Sequence, residues 1–375
     1  MIHIFVAGIS IALFLIAIIL TKPTKHTPDY ILLVLLFFSA QTIFNTFWVF
    51  TNSHLLYPDA LVIGLNAPIA VAPLFYLYTK YQIHPIRFRP LDLLHLALYF
   101  IFFLLYVKFY FLSYEEKLVL MNSKGGSNST LEISRTIITY VSGFFYFLWS
   151  LWILLQFRKN MKHQFSNTEK IRFNWLIFLI VGMLFIWLVV LIIQDDSITS
   201  VSSTLFLILL GYFGITQVNV FSGVNNNFLT TVTQSYETSA PIKIEDGEAV
   251  YVKYKNSILS EEEATKIHQQ LKQLLHTERH YLNPELTLSQ LAQCLKVHPN
   301  KLSEVINTQE QKSFYDLINE LRVREFLLQV VKSENSRFTF TSLAYDCGFN
   351  SKASFNRNFK KHIGITPSEY LNKQN

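Results

Sequence analysis

Seven apolar stretches dominate the first 218 residues of this 375-residue chain. Each has about the 20 residues that an α-helix needs to cross a hydrocarbon core of roughly 30 Å. Backbone polar groups in lipid need partners within their own segment, so these tandem spans are predicted to be helices. The first stretch lacks a basic leading region and a small-residue cleavage site, and we interpret it as a span. The stretches cover residues 2–20, 31–50, 60–79, 91–112, 136–157, 173–193 and 197–218.

The loops between these stretches differ in charge. One alternate set holds ten Lys and Arg residues, whereas the other, over residues 51–59, 113–133 and 194–196, holds only Lys117 and Lys124. Cytoplasmic loops carry the excess of basic residues, so the N-terminus is predicted to lie outside and the C-terminus in the cytoplasm. An odd number of spans agrees with this orientation, because it places the two termini on opposite sides of the membrane. The basic set comprises Lys22, Lys25, Lys80, Arg87, Arg89, Arg158, Lys159, Lys162, Lys170 and Arg172.

Charged residues are concentrated in the C-terminal part of the chain. Only 15% of all residues are charged, below the roughly 25% of a soluble domain. Residues 221–375 nevertheless hold 18 Lys and Arg and 17 Asp and Glu. The net charge of +6 therefore arises mostly in the membrane loops and is weak support for nucleic-acid binding. The two cysteines, Cys294 and Cys347, lie in predicted helices, which favours a reducing compartment over a disulfide framework.

Polar residues inside the apolar stretches are the candidate sensor groups. Gln41 and Asn45 lie one helical turn apart in the second stretch. Asn66, which stands before two prolines, is expected to open a kinked third span. Asp92 and His95 lie near the cytoplasmic end of the fourth stretch. The alternative interpretation is that all of these side chains only make helix-packing hydrogen bonds.

The apolar half ends in a polar segment. Residues 219–257 are rich in Asn, Thr and Ser and are predicted to form a linker. The helix that follows begins at Ser260, which is predicted to form a capping box with Glu263. The chain is therefore predicted to be all-α, with a seven-helix membrane domain over 1–218, the linker over 219–257 and a cytoplasmic domain over 258–375.

The cytoplasmic part contains an internal repeat. Ala292 is followed by Val297 five residues later, and Ala344 is followed by Phe349 at the same distance. A small residue allows two helices to cross closely, and the later apolar residue fills the turn between them. A long helix over residues 315–331 separates the two copies. The repeat predicts two helix-turn-helix motifs, which is a stronger signal than one copy.

The second copy has the better surface for reading DNA. With Phe355 and Phe359 facing the core, the remaining positions of the helix face outward. Ser351 is a suitable N-cap, which places the following residues in the first turns that enter a major groove. We expect base contacts from Lys352, Ala353, Asn356 and Arg357, and phosphate contacts from Lys360 and Lys361. The alternative is a solvated basic face.

The first copy is less basic. Its predicted outward residues are Asn300, Lys301, Ser303, Glu304 and Asn307. Glu304 can accept a hydrogen bond from cytosine but repels nearby phosphate. The first motif is therefore expected to contribute less affinity than the second.

These residues resemble the AraC/XylS family of bacterial transcription regulators. The resemblance covers residues 258–375 and includes Gly348-Phe349, Phe359-Lys360-Lys361, Thr366-Pro367-Ser368-Glu369-Tyr370 and the pattern Ile318-Asn319 with Leu321-Arg322. It implies an all-helical domain whose two helix-turn-helix motifs, joined by a rigid helix, enter successive major grooves. The implied base contacts are Asn300, Ser303, Glu304, Lys352, Ala353, Asn356 and Arg357. Glu304 departs from the basic or neutral residue that is common there, and seven spans replace the sugar-binding barrel that is common in the family.

The leading hypothesis is a one-component regulator in the bacterial inner membrane, with promoter DNA, the lipid bilayer and RNA polymerase as partners. The sensed ligand is unknown, and a homo-oligomer is one open alternative. Two rival functions are a passive anchor that releases a DNA-binding fragment on proteolysis and a membrane enzyme with a DNA-binding appendage. No HExxH, GxSxG or phosphate-cradling loop occurs. No enzyme activity, cofactor or metal is therefore expected.

Overall fold

The computed structural model describes residues 2–84, 87–122, 130–167, 174–193, 195–216, 259–332 and 339–374. Helices are the regular elements of these residues, and no strand occurs among them, which confirms the all-α prediction. The chain divides into two compact units. The first contains the described parts of Met1–Leu155 and Phe173–Gln234, and the second contains those of Gln156–Arg172 and Ser235–Asn375. The predicted linker lies outside the described residues.

Nine helices are described before the linker, together with a 3₁₀ segment at Pro90–Leu96. They are α1 (Ile2–Thr21), α2 (Thr27–Phe50), α3 (Pro58–Leu65), α4 (Ala67–Ile83), α5 (Ala97–Tyr110), α6 (Tyr114–Asn122), α7 (Thr130–Gln164), α8 (Asn174–Ile193) and α9 (Asp196–Thr216).

Five helical segments in the described residues are long and apolar enough to cross a membrane. They are Ile2–Thr21, Thr27–Phe50, Pro90–Phe109, Thr130–Gln164 and Asn174–Ile193. The seventh predicted stretch falls in α9, whose apolar part, Val201–Gly211, is shorter. The third is divided at Asn66, where α3 ends and α4 begins. Pro68 follows within the first turn of α4, where a missing N–H costs nothing because that donor has no intrahelical partner.

Small residues allow close approach between helices of the first unit. A Cβ added to Gly8 of α1 would overlap with Oγ1 of Thr204 in α9. In the same pair of helices, a Cβ on Gly211 would lie 3.3 Å from Leu15. In a lipid bilayer the hydrophobic effect does not drive helices together, so close packing of this kind contributes much of their association. α4 is buried along nearly its whole length and forms the interior of this unit.

One buried and one partly buried ion pair lie at helix ends of the first unit. Lys22 Nζ lies 2.9 Å from Asp29 Oδ1, and Lys80 Nζ lies 2.7 Å from Asp92 Oδ2. The hydroxyl of Tyr81 also donates to Asp92 Oδ2 at 2.7 Å. The Asp92 carboxylate is thus satisfied within the protein.

The second unit begins with the last turns of α7, and seven further helices follow in its described residues. They are α10 (Glu261–Thr277), α11 (Leu288–Cys294), α12 (Pro299–Gln309), α13 (Phe314–Val330), α14 (Phe340–Asp346), α15 (Lys352–Ile363) and α16 (Pro367–Gln374). The helix predicted over residues 315–331 is α13.

Hydroxyl side chains cap most helices of this unit. Thr287, Ser313, Thr339 and Ser351 each accept a hydrogen bond from a backbone N–H in the first turn of the next helix. Such caps satisfy donors that have no intrahelical partner.

The predicted capping box at α10 is confirmed in one of its two hydrogen bonds. Ser260 Oγ accepts from the Glu263 N–H at 3.1 Å. The Glu263 carboxylate instead binds Lys301 Nζ at 2.7 Å. A lysine is a charged donor, so its hydrogen bond to the Glu263 carboxylate is stronger than one from a single backbone amide.

Candidate nucleic-acid interface

The first helix-turn-helix arrangement is formed by α11 and α12. Ala292 is fully buried where the two helices cross, and Leu302 pins α12 to the core. The N–H of Val297 donates to the carbonyl of Ala292 at 3.0 Å and closes the turn. Lys296, just before Val297, has a positive φ of 56°. The structure thus places Ala292, Val297 and Leu302 in the positions that the repeat spacing predicts.

The second arrangement, formed by α14 and α15, repeats this geometry. Ala344 is fully buried at the crossing, and the N–H of Phe349 donates to its carbonyl at 3.1 Å. Gly348 takes the positive φ here, at 89°. Phe355 of α15 lies in the core at 2% exposure. The same hydrogen bond therefore closes both turns, 52 residues apart in the sequence.

The outer face of α15 is basic. Its buried stripe comprises Ser354, Phe355, Asn358 and Phe359. The residues predicted to read DNA alternate in pairs with these buried positions, and all of them are exposed: Lys352, Ala353, Asn356, Arg357, Lys360 and Lys361. Ser351 Oγ caps the helix by accepting from the Ser354 N–H at 3.0 Å. The structure therefore brings all six residues of the second predicted set onto the surface of one helix.

Lys361 forms an ion pair across this face. Lys361 Nζ lies 2.6 Å from Asp316 Oδ1 at the start of α13. Burial raises the pKa of the Asp316 carboxyl, but the hydrogen bond and charge of Lys361, with help from Ser313 and Lys162, hold it below its usual value. The carboxylate is therefore charged at neutral pH and competes with phosphate for Lys361.

The reading face of α12 differs from the prediction. Asn300 is exposed, Glu304 is half-buried, and Lys301 is bound to Glu263. Ser303 does not face outward: it is 8% exposed, and its Oγ accepts from Asn307 Nδ2 at 3.4 Å. The expectation of an outward Ser303 is wrong because Ser303 shares the side of the helix that carries Ile306, which fills the core.

A buried arginine, which the sequence indicates only as part of the family pattern, connects the two motifs. Arg322 is 1% exposed, and its Nε and Nη2 donate to the carbonyls of Tyr281 and Asn283 at 2.7 Å each. Burial lowers the pKa of its guanidinium to about 10, which leaves it charged at neutral pH. A Cβ on Gly348 would lie 2.7 Å from the carbonyl O of Tyr281 and 3.0 Å from Arg322 Nε. The turn of the second motif therefore packs directly on the segment before the first.

The candidate sensor groups lie among packed helices of the first unit. A Cβ on Gly64 would lie 2.5 Å from Asn45 Oδ1 and 2.6 Å from Gln41 Nε2, so α2 and α3 approach closely there. His95 Nδ1 lies 3.1 Å from the hydroxyl of Tyr146. Asn66 is 1% exposed. Among the described residues, no group of His, Cys, Asp or Glu is arranged to hold a metal ion.

Comparison with known proteins agrees with this geometry. The family model of a helix-turn-helix domain matches residues 291–373. No curated protein and no solved structure matches the chain. The match includes most of α11, all of α12 to α15 and all of α16 except its last residue. Residues 291–373 are thereby identified as a helix-turn-helix domain of the AraC type, and the protein is a DNA-binding transcription regulator with a series of apolar helices before that domain.

Proposed function

We propose that the chain is a membrane-anchored, one-component transcription regulator that binds promoter DNA through both helix-turn-helix motifs. The observation that carries the proposal is the exposed basic face of α15, set on a buried Phe355–Phe359 stripe behind a capped N-terminus. An N-terminal helix turn of this kind enters a major groove, and its cations neutralise phosphates on either side.

The residues of α15 divide into two roles. Lys352, Ala353, Asn356 and Arg357 occupy the first two turns and contact base edges. In this arrangement Arg357 donates to both guanine acceptors, and Asn356 pairs with adenine. Lys360 and Lys361, in the last turn, contact phosphate.

In the first motif, the proposed contacts are Asn300, Lys301 and Glu304. Lys301 would exchange Glu263 for phosphate when DNA binds. Ser303 has too little surface for a base contact.

In the membrane domain, the proposed topology has seven spans. The pair α3 and α4 together make one span that is interrupted at Asn66, and α9 makes the last. Interrupted spans are tolerated where neighbouring helices satisfy the freed backbone groups. Arg135 Nη1 donates to the carbonyl of Leu65 at 3.0 Å, directly before the break. The basic loops then lie in the cytoplasm of a bacterium, on the side where DNA and RNA polymerase are found.

The topology is tested by reporter fusions at the C-terminus. An alkaline phosphatase fusion should be inactive and a fluorescent protein fusion should be bright. The opposite pair of results would overturn the proposed orientation. Replacing Arg158, Lys159 and Lys162 by acidic residues should disturb this pattern. An unchanged pattern would mean that this loop does not determine the topology.

The DNA-binding function is tested by genome-wide occupancy of the full-length tagged protein, with Arg357→Ala as the control. We expect discrete sites for the parent and their loss in the variant. Sites found only for a shorter fragment, with that fragment visible on a blot, would favour proteolytic release. Occupancy that is the same in the parent and the variant would overturn the role of α15.

A further inference from the structure

Two separate hydrophobic clusters form the interior of the second unit, and α13 contributes to both. Ile318, in its first half, belongs to the core of the first motif, and Phe326, in its second half, belongs to the core of the second. Between them lie Asn319 and Arg322, each 1% exposed. The two motifs therefore meet at buried polar groups, which depend on specific partners.

Phe165 and Ser166, directly after the end of α7, fill this junction. They are 5% and 1% exposed. The N–H and Oγ of Ser166 both donate to the carbonyl of Leu286, at 3.2 and 2.7 Å. The Ser166 carbonyl accepts from Asn319 Nδ2 at 3.0 Å, and its Oγ accepts from Arg322 Nη2 at 3.1 Å. All of these residues belong to the second unit.

Hydrogen bonds from Ser166 lead to the first helix of motif one and to the reading helix of motif two. Leu286 directly precedes the N-cap of α11, the first helix of motif one. Asn319 Nδ2 also donates to the carbonyl of Tyr315 at 2.8 Å, and the Tyr315 hydroxyl accepts from Asn358 Nδ2 of α15 at 2.9 Å. Tyr315 thus links Ser166 to the second reading helix, because its carbonyl accepts from Asn319 and its hydroxyl accepts from Asn358.

We infer that the docked Phe165–Ser166 segment holds the two motifs in the arrangement that engages two DNA half-sites, and that the membrane domain controls DNA binding by docking or withdrawing this segment. The inference rests on the proposed function, because it concerns regulation of the same DNA-binding face. α7 is one continuous helix from Thr130 to Gln164. A displacement of that helix therefore reaches the junction without passing through residues 219–257.

The docked and withdrawn states differ in hydrogen bonding. Withdrawal removes two acceptors, the Ser166 Oγ and carbonyl O, from the buried Arg322 guanidinium. It also removes two donors from the Leu286 carbonyl, and these polar groups must then be satisfied by water. The motifs then keep their own cores but lose the contact that fixes one relative to the other. Binding of one half-site no longer positions the second reading helix, so the gain from the second half-site falls.

The test compares two duplexes bound by the full-length protein in lipid nanodiscs. The first duplex is selected from a random-sequence pool by the parent protein, and the second is the same duplex with one half-site scrambled. Ser166→Lys places a charge at a buried position and should expel the segment. We expect its affinity for the first duplex to fall roughly tenfold, through lost effective concentration. Its affinity for the scrambled duplex should stay unchanged.

A milder variant guards against misfolding. Ser166→Ala removes the hydroxyl but keeps the backbone contacts, and it should lower affinity for the intact duplex roughly threefold. Ser134→Ala is the matched control, since within the described part of the chain the Ser134 hydroxyl bonds only to the Thr130 carbonyl in its own helix. Gln164→Lys controls for the added charge. Both controls should match the parent.

The outcomes separate this inference from the proposed function. If the parent binds both duplexes equally, the two-motif reading of DNA fails. If the parent prefers the intact duplex and Ser166→Lys keeps that preference, or strengthens it, the role of the docked segment is overturned while the function stands. An equal loss on both duplexes would mean that Ser166 only supports folding, which also overturns it.

Discussion

The two helix-turn-helix motifs share one scaffold but differ in the surfaces they present. In each, a buried alanine allows the helices to cross, and a backbone hydrogen bond to that alanine closes the turn. The sixth residue of each second helix is Glu304 in the first motif and Arg357 in the second. The buried positions are constrained by packing, so the same kinds of residue occur in both motifs. The exposed positions are free to differ according to what each helix binds. The difference indicates that the second motif supplies most of the phosphate attraction.

The turns offer the largest test of this comparison. The positive-φ residue is Lys296 in the first motif and Gly348 in the second. Gly348→Ala should destabilise the second unit by about 3 kcal/mol or more, from strained backbone and displaced neighbours together. Lys296→Gly should change stability by less than about 1 kcal/mol, because lost strain offsets added chain entropy. Hydrogen exchange of the amides in α14 and α15 measures the first effect, and that of the amides in α11 and α12 measures the second. Equal effects would show that the two turns are equally tolerant.

The sixth position of the reading helices gives the next contrast. Arg357→Ala should cost roughly 1–3 kcal/mol at one base position and relax the sequence preference there. Glu304→Gln should instead tighten binding to sequences without cytosine at the position that Glu304 contacts, since it removes a charge that repels phosphate. Binding to a panel of duplexes with single base changes distinguishes the two. A uniform loss for Arg357→Ala would reassign that residue to phosphate.

The lysines of the two motifs are expected to differ in a smaller way. Lys360→Ala should weaken binding about evenly across sequences and reduce the slope of log affinity against log salt by about one. Lys301→Ala should have less effect, because Lys301 is bound to Glu263 in the absence of DNA. Salt titrations of both variants measure this. A larger slope change for Lys301→Ala would mean that the ion pair opens at little cost.

The smallest effect is expected at the Asp316–Lys361 pair. The pKa of Asp316 is lowered in the folded protein, so the pair stabilises the fold above the ordinary carboxyl pKa. That contribution is lost as the pH falls through the lowered value. Asp316→Asn should therefore be less stable than the parent at pH 7, with the difference closing in acid. It should also bind DNA slightly more tightly, because Lys361 is released.

Thermal unfolding of both proteins at neutral and acidic pH checks the stability difference, with Glu261→Gln, an exposed acidic residue of α10, as the control. A difference that stays constant with pH would contradict the ionic origin.

Local patterns predicted much of the fold. Helical spacing and capping residues located the helices of the second unit, and the Ala292 and Ala344 repeat located both turns. Apolar length located the five candidate spans. The division of the third stretch at Asn66 was expected only as a kink, because Asn and Pro reveal a break whereas its extent depends on neighbouring helices. The burial of Ser303 was not predicted, because the sequence does not show whether a polar residue beside a buried stripe is covered by a neighbouring helix.

By itself, the sequence determined the helical class, the apolar spans, the duplicated motif and the basic face of α15. These depend on residues within a few turns of one another, whose spacing is visible in the chain. The tertiary structure alone decided that Arg322 joins the two motifs and that Ser166 docks beside it, across a separation of 156 residues. A hydrogen bond between such distant residues leaves no periodicity in the sequence. The hydrogen bond forms because folding buries the Arg322 guanidinium, and every buried N–H of that group needs an acceptor. Ser166 supplies one of these acceptors.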